Sequence, residues 1–192
     1  MKRRATRAGS GHAACRVAAG MSMLELMIAM AVLAVGMTAV TALFHSAILT
    51  NNRAKVDTSA TMLAQTVLEK IAAQPATQNT AISLIDCGGI PTTWTIATAG
   101  AGAPGNGATV DANSGAIDFT QAYPDVPANY KMLFAGCGAG GRQTTFDVRW
   151  NVLTVTANTR LITVAARPLG ATGGNRPTQF APPVTLRTIG GI

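Results

Sequence analysis

The sequence predicts an α+β fold, in which one long N-terminal helix, transmembrane and then amphipathic, packs on a small antiparallel β-sheet head. Three observations lead there. An apolar run without charge or proline spans Leu26–Phe44. A helical stripe continues from it as far as Ile71. Beyond Pro75 the composition turns to Thr, Gly, Ala and β-branched residues, the texture of short strands.

Charge locates the first boundary. The 192 residues carry a formal charge of +7, with 48% hydrophobic and only 12% charged residues, and mean hydropathy is +0.27. That is too apolar for a disordered chain and poor in charge for an ordinary cytosolic one. Lys2, Arg3, Arg4, Arg7 and Arg16 all precede Met21 with no acid among them; without them ten bases face eight acids, or +2. A basic tail beside an apolar span reads as a cytoplasmic flank under the positive-inside rule. Nucleic-acid binding needs a basic patch on a folded domain, and the remaining bases are scattered singly.

The helix comes next. The nineteen residues "LMIAMAVLAVGMTAVTALF" (26–44) cover roughly 28 Å as a helix, against a hydrocarbon core of about 30 Å. Val56, Ala60, Leu63, Val67 and Ile71 then recur at intervals of three and four, while Arg53, Asp57, Gln65 and Lys70 fall away from that stripe. No proline occurs before Pro75, so one helix of about 80 Å from Met21 to Ala73 is the expectation. The other reading places a break near "TNNR" and makes anchor and domain helix separate. Within the apolar half, Glu25 is the single formal charge between Met21 and Asn52. A carboxylate there needs a partner or must be neutral.

"GMSMLELMIAMAVLAVGMTAV" (20–40) resembles the type IV prepilin family, including the pseudopilins of type II secretion. The family pattern is a short basic leader ending in Gly, an apolar first mature residue, Glu at the fifth mature position and an apolar helix. Gly20 stands at the end of the leader, Met21 at the first mature position, and Glu25 at the fifth. Met21 departs from the commoner Phe, and the leader of twenty residues is long. "VGMTAVTALFHSAILTNNRAK" followed by "LAQTVLEKIAAQP" is most like the PilV-type minor pilins. The resemblance implies cleavage after Gly20 and N-methylation of Met21 by a prepilin peptidase/methyltransferase. It also implies pairing of Glu25 with the N-terminal amine of a neighbouring subunit. The implied partners are other pilin or pseudopilin subunits and an inner-membrane assembly platform. The implied location is the bacterial inner membrane, single-pass, then a pilus or pseudopilus. A blander role for Glu25 is a place in the headgroup layer.

The head is expected over 75–192, after the leader 1–20 and the helix 21–74, whose half 21–45 is the membrane or filament-core part. Strands are expected at 92–97, 130–135, 145–156 and 160–168, the last two as a hairpin around "ANT" (157–159). In "TFDVRWNV", Phe146, Val148, Trp150 and Val152 alternate with Asp147, Arg149 and Asn151. That pattern reads as a half-buried strand with a solvated or subunit-contacting polar face. The stretch 97–115 is a flexible loop by composition. The tail from Gly170 reads as loosely structured, with a short edge strand at "VTLRTI".

Of three cysteines, Cys15 falls in the expected leader. That leaves Cys87 and Cys137, flanked by glycines, as one pair in an oxidising compartment. A disulfide there closes a loop worth about 4 kcal/mol in the chain-entropy model; two buried thiols are the other reading. No catalytic triad, metal cluster, phosphate loop or dinucleotide fingerprint is present, and Asp111, Asp118 and Asp125 lack the spacing of a calcium loop. No enzyme activity, metal or cofactor is expected. Two further readings of the chain stand beside the filament subunit. One is an uncleaved single-pass anchored β-domain that binds an envelope ligand or partner. The other is a secreted β-domain cut near Thr41–Ala42.

Overall fold

The computed structural model describes residues 21–137, 143–169 and 182–191. The expectations for the leader 1–20, including Gly20 and Cys15, and for 170–181 lie outside those residues. In chain order the elements are α1 (Met23–Ala72), β1 (Thr80–Ile85), β2 (Pro91–Ile96), β3 (Asn106–Gly107), β4 (Lys131–Cys137), β5 (Gln143–Thr156), β6 (Thr159–Leu169) and β7 (Val184–Gly191). A 3-10 turn lies at Tyr123–Asp125. The architecture is α+β, a long helix packed against antiparallel sheets. Helix α1 runs through Asn51–Arg53 without a break. Two compact units divide the chain, residues 1–47 and 48–192.

In the first unit the described chain is helix from Met23 onward, and every residue of it is exposed. It is apolar all round, the pattern of a helix whose solvent is lipid or other helices. Its residues are long and apolar enough to cross a membrane. Two of its hydroxyls are met locally: Thr38 donates to the Val35 carbonyl and Thr41 to the Met37 carbonyl, each at 2.8 Å. That suits surroundings with no water to bond them.

In the second unit the later turns of α1 bury one stripe, Ala60, Leu63, Ala64, Val67 and Ile71. The three- and four-residue spacing puts them on a single face. They meet Phe146, Val148, Trp150 and Val152 of β5 and Ile162, Val164 and Ala166 of β6 in one core. The larger sheet has the order β3-β5-β6-β7, with β4 also on β5. Strands β5 and β6 form a hairpin, Thr156 opposite Thr159, and β7 is the edge strand carrying "VTLRTI". Among the described residues, strands β1 and β2 pair only with each other, Thr80 opposite Ile96 and Ile85 opposite Pro91. The pair seats Ile82 and Ile96 in the core.

Three features differ from the sequence expectation. Strand β1 had no strand assigned to it, because "TAISLI" points only Ile82 and Leu84 inward. The polar face of β5 is not solvated: Asp147, Arg149 and Asn151 are 1%, 2% and 5% exposed. The chain from Pro104 to Tyr123 covers them as a strap. The stretch 97–115, read as a loop, supplies part of that cover. Its β3 residues pair with Val152 and Asn151 of β5, and Ala108 is fully buried. Gly107 is required here, because at φ +113 a Cβ would stand 2.2 Å from the Trp150 carbonyl oxygen.

Candidate functional site

The sequence-predicted site residues fall in two places. At the start of α1, Met21 and Ser22 lie outside the helix, and Met21 is 76% exposed. The Ser22 carbonyl accepts the Leu26 N–H at 3.1 Å, and its hydroxyl accepts the Glu25 N–H at 3.2 Å. Ser22 is therefore the N-cap, and Ser22 with Glu25 has the S-x-x-E spacing of a capping box. The cap ends the helix at Met23. It sets Glu25 in the first turn, where the free N–H groups and the helix dipole favour an anion. Glu25 is exposed there, at the head of an apolar helix.

The other place is the head. Cys87, in the β1–β2 turn, and Cys137, the last residue of β4, are joined, with Cα atoms 5.1 Å apart across 50 residues. The turn is set by Asp86, whose carboxylate accepts the N–H groups of Gly88 at 2.8 Å and Ile90 at 3.0 Å. The rings of Trp94 on β2 and Phe134 on β4 are in edge contact, centroids 6.1 Å apart.

Two polar constructions were not read from the sequence. Arg160 of β6 is fully buried. Its guanidinium donates to the carbonyls of Ile71 at 2.7 Å and Thr98 at 3.0 Å, and to that of Gln74. The end of α1 leaves its carbonyls short of intrahelical donors, Ile71 keeping one bond from the Gln74 N–H at 3.3 Å, and a cation is favoured there. Thr98 adds a bond from its hydroxyl to the Pro75 carbonyl, at 3.0 Å, and another to that of Gln78. Burial lowers the Arg160 pKa from its ordinary value. The available signal was parity: Arg160 is in phase with Ile162, Val164 and Ala166 on the inward face of β6.

The second construction holds the strap. Arg149 forks onto Asp147 through Nε at 2.9 Å and Nη2 at 2.7 Å, and its Nη1 donates to the Gln121 carbonyl at 2.7 Å. Arg167 reaches Asp147 at 3.6 Å and lies 4.6 Å over the Phe119 ring. Asn151 donates to the Ala108 carbonyl at 2.9 Å. These are contacts of folded structure rather than an array aimed at a substrate. Asp111 and Asp118 are turn residues: hydrogen bonds from Ser114 and Asn113 lower the first pKa, and those from Thr120 the second. Among the described residues no group of His, Cys, Asp and Glu is gathered to hold a metal.

Comparison with known proteins adds one finding. The prokaryotic N-terminal methylation motif matches residues 15–41. No curated protein and no solved structure matches the chain. The matched span holds the end of the basic segment, the capped start of α1, Glu25 and the apolar turns after it. The motif supports a type IV pilin-like precursor, anchored in a membrane by its N-terminal helix, and implies a structural subunit rather than an enzyme.

Proposed function

We propose that this chain is the precursor of a minor type IV pilin or a pseudopilin. Its leader 1–20 is removed after Gly20 by a prepilin peptidase, which also methylates the new amino terminus on Met21. The mature chain enters a pilus or pseudopilus from the inner membrane through an assembly platform. There Glu25 pairs with the amino terminus of the neighbouring subunit. The pairing works by register, because an unpaired charge in an apolar bundle penalises every stagger except the one that joins it to its opposite. The head lies outside the bundle, with Cys87 and Cys137 joined. The methylation motif over 15–41 carries this reading, together with the first half of α1, whose turns before Asn51 are apolar all round and hold one acid, Glu25.

Glu25→Ala tests it. Cleavage should proceed close to the wild-type extent, while incorporation into the sheared filament fraction falls by about tenfold or more, since one lost charge pair is worth at least about 1.4 kcal/mol there. Cleaved Glu25→Ala protein incorporated at the wild-type level would contradict the pairing.

A further inference from the structure

The Cys87–Cys137 bond lies at the edge of a cavity that neither the fold nor the proposed assembly uses. Cys137 is exposed and Cys87 partly so. Beside Cys137 a cavity of about 420 Å³ is lined by Lys55, Val56, Thr58 and Ser59 of α1 and by Thr144 and Phe146 of β5. The described residues that line it from those elements carry one ammonium, three hydroxyls and three apolar side chains, that of Ala54 included, with no carboxylate among them. A thiolate is drawn to such a place, and a disulfide open to solvent is of the exchangeable kind.

We propose that Cys87–Cys137 is a thiol–disulfide exchange site, opened from the cavity side by a dithiol reductant of the compartment that holds the head. The incoming thiolate enters beside Lys55 and attacks Sγ of Cys137. The protein disulfide breaks, a mixed disulfide forms on Cys137, and Cys87 leaves as a thiolate that takes a proton from water. The second thiol of the reductant, as thiolate, then attacks its own sulfur in the mixed disulfide, and Cys137 departs as a thiolate next to the Lys55 ammonium. The protein gains two thiols, and the dithiol leaves as a cyclic disulfide.

What the exchange releases follows from topology. Strands β1 and β2 make no ladder with the larger sheet, and a two-stranded hairpin is marginal by itself. Its base stays fixed by buried Ile82 and Ile96 and by the Ala97 N–H bond to the Asn129 carbonyl at 2.9 Å. Its tip has the disulfide and the exposed residues Ile85 and Ile90, 69% and 63% accessible. Reduction therefore loosens Ile85–Ile90 and leaves β5 and β6 folded.

The test uses the full chain in detergent with dithiothreitol and no denaturant, read by mass after alkylation and by amide hydrogen exchange. Two alkyl groups beyond the one that Cys15 takes in the unreduced chain are expected, with exchange rising about tenfold or more at Ile85–Ile90 and unchanged across β5 and β6. Lys55→Gln should slow reduction roughly threefold to tenfold at low salt, Lys55→Arg should restore it, and added salt should narrow the gap. Alkylation that waits for denaturant would overturn the proposal, as would loss of protection across β5 on reduction. Equal rates for wild type and Lys55→Gln would overturn the part given to Lys55.

Discussion

Arg160 is the residue on which the head turns. A buried guanidinium normally answers a carboxylate; this one answers the carbonyls of Ile71, Gln74 and Thr98. It closes the end of α1 against β6 with a positive charge where the helix dipole is negative. Truncating it to Met keeps the apolar stem and takes the guanidinium donor from the Gln74 and Thr98 carbonyls, while the Ile71 carbonyl keeps only the Gln74 N–H at 3.3 Å. Arg160→Met should therefore cost about 3 kcal/mol, measured as a lowered urea midpoint with an unchanged slope. At this scale the sequence was half legible. The spacing of Val56, Ala60, Leu63, Val67 and Ile71 states which face of α1 is buried, because a helix repeats every 3.6 residues whatever covers it. Arg160 was legible only as a base at the start of a strand. Its partners lie 62 to 89 residues away.

At the scale of elements, β5 shows why alternation has two meanings. Phe146, Val148, Trp150 and Val152 face α1, as a period of two requires. The same period places Asp147, Arg149 and Asn151 on the opposite face, and nothing local says whether water or chain will cover them. Here the strap covers them, and its backbone carbonyls at Gln121 and Ala108 take the donors that water would otherwise take. The strap itself reads as Gly-, Ala- and Asn-rich chain, so composition shows a loop but not its seat. Asp147 and Arg149 are a buried pair, so removing one partner should be worse than removing both. Asp147→Leu should cost about 3–5 kcal/mol, and Asp147→Leu with Arg149→Met markedly less. A double-mutant cycle by chemical denaturation checks this; equal or larger loss in the double variant would contradict it.

For the whole molecule, the two units follow different rules. Residues 48–192 have a core; the described residues before 48 are an apolar helix awaiting lipid or other helices. The anchor was the most legible part of the chain, since length, hydropathy and flanking charge all sit in consecutive residues. The head was legible as strands, and its closure was not.

Its stability should also respond to alkali. Burial raises the pKa of Tyr123, with Asp147 adding to it, and burial raises that of Tyr130. The folded head therefore holds phenol protons above the ordinary value of about 10. That contribution is fully present below about pH 10 and is lost as pH climbs through the folded values. Denaturant midpoints should fall above pH 10, and Tyr123→Phe should flatten the fall. A midpoint constant from pH 9 to 11.5 would contradict this.

The central claim concerns the bond between Gly20 and Met21. The most direct measurement is the intact mass and N-terminal residue of the protein extracted from membranes, with and without the host's prepilin peptidase. The account predicts a chain that begins at N-methylated Met21 only when the peptidase is present. A chain that keeps residues 1–20 in both would contradict it and leave Glu25 with no amino terminus to meet, and one cut near Ala42 would contradict it by removing Glu25 altogether.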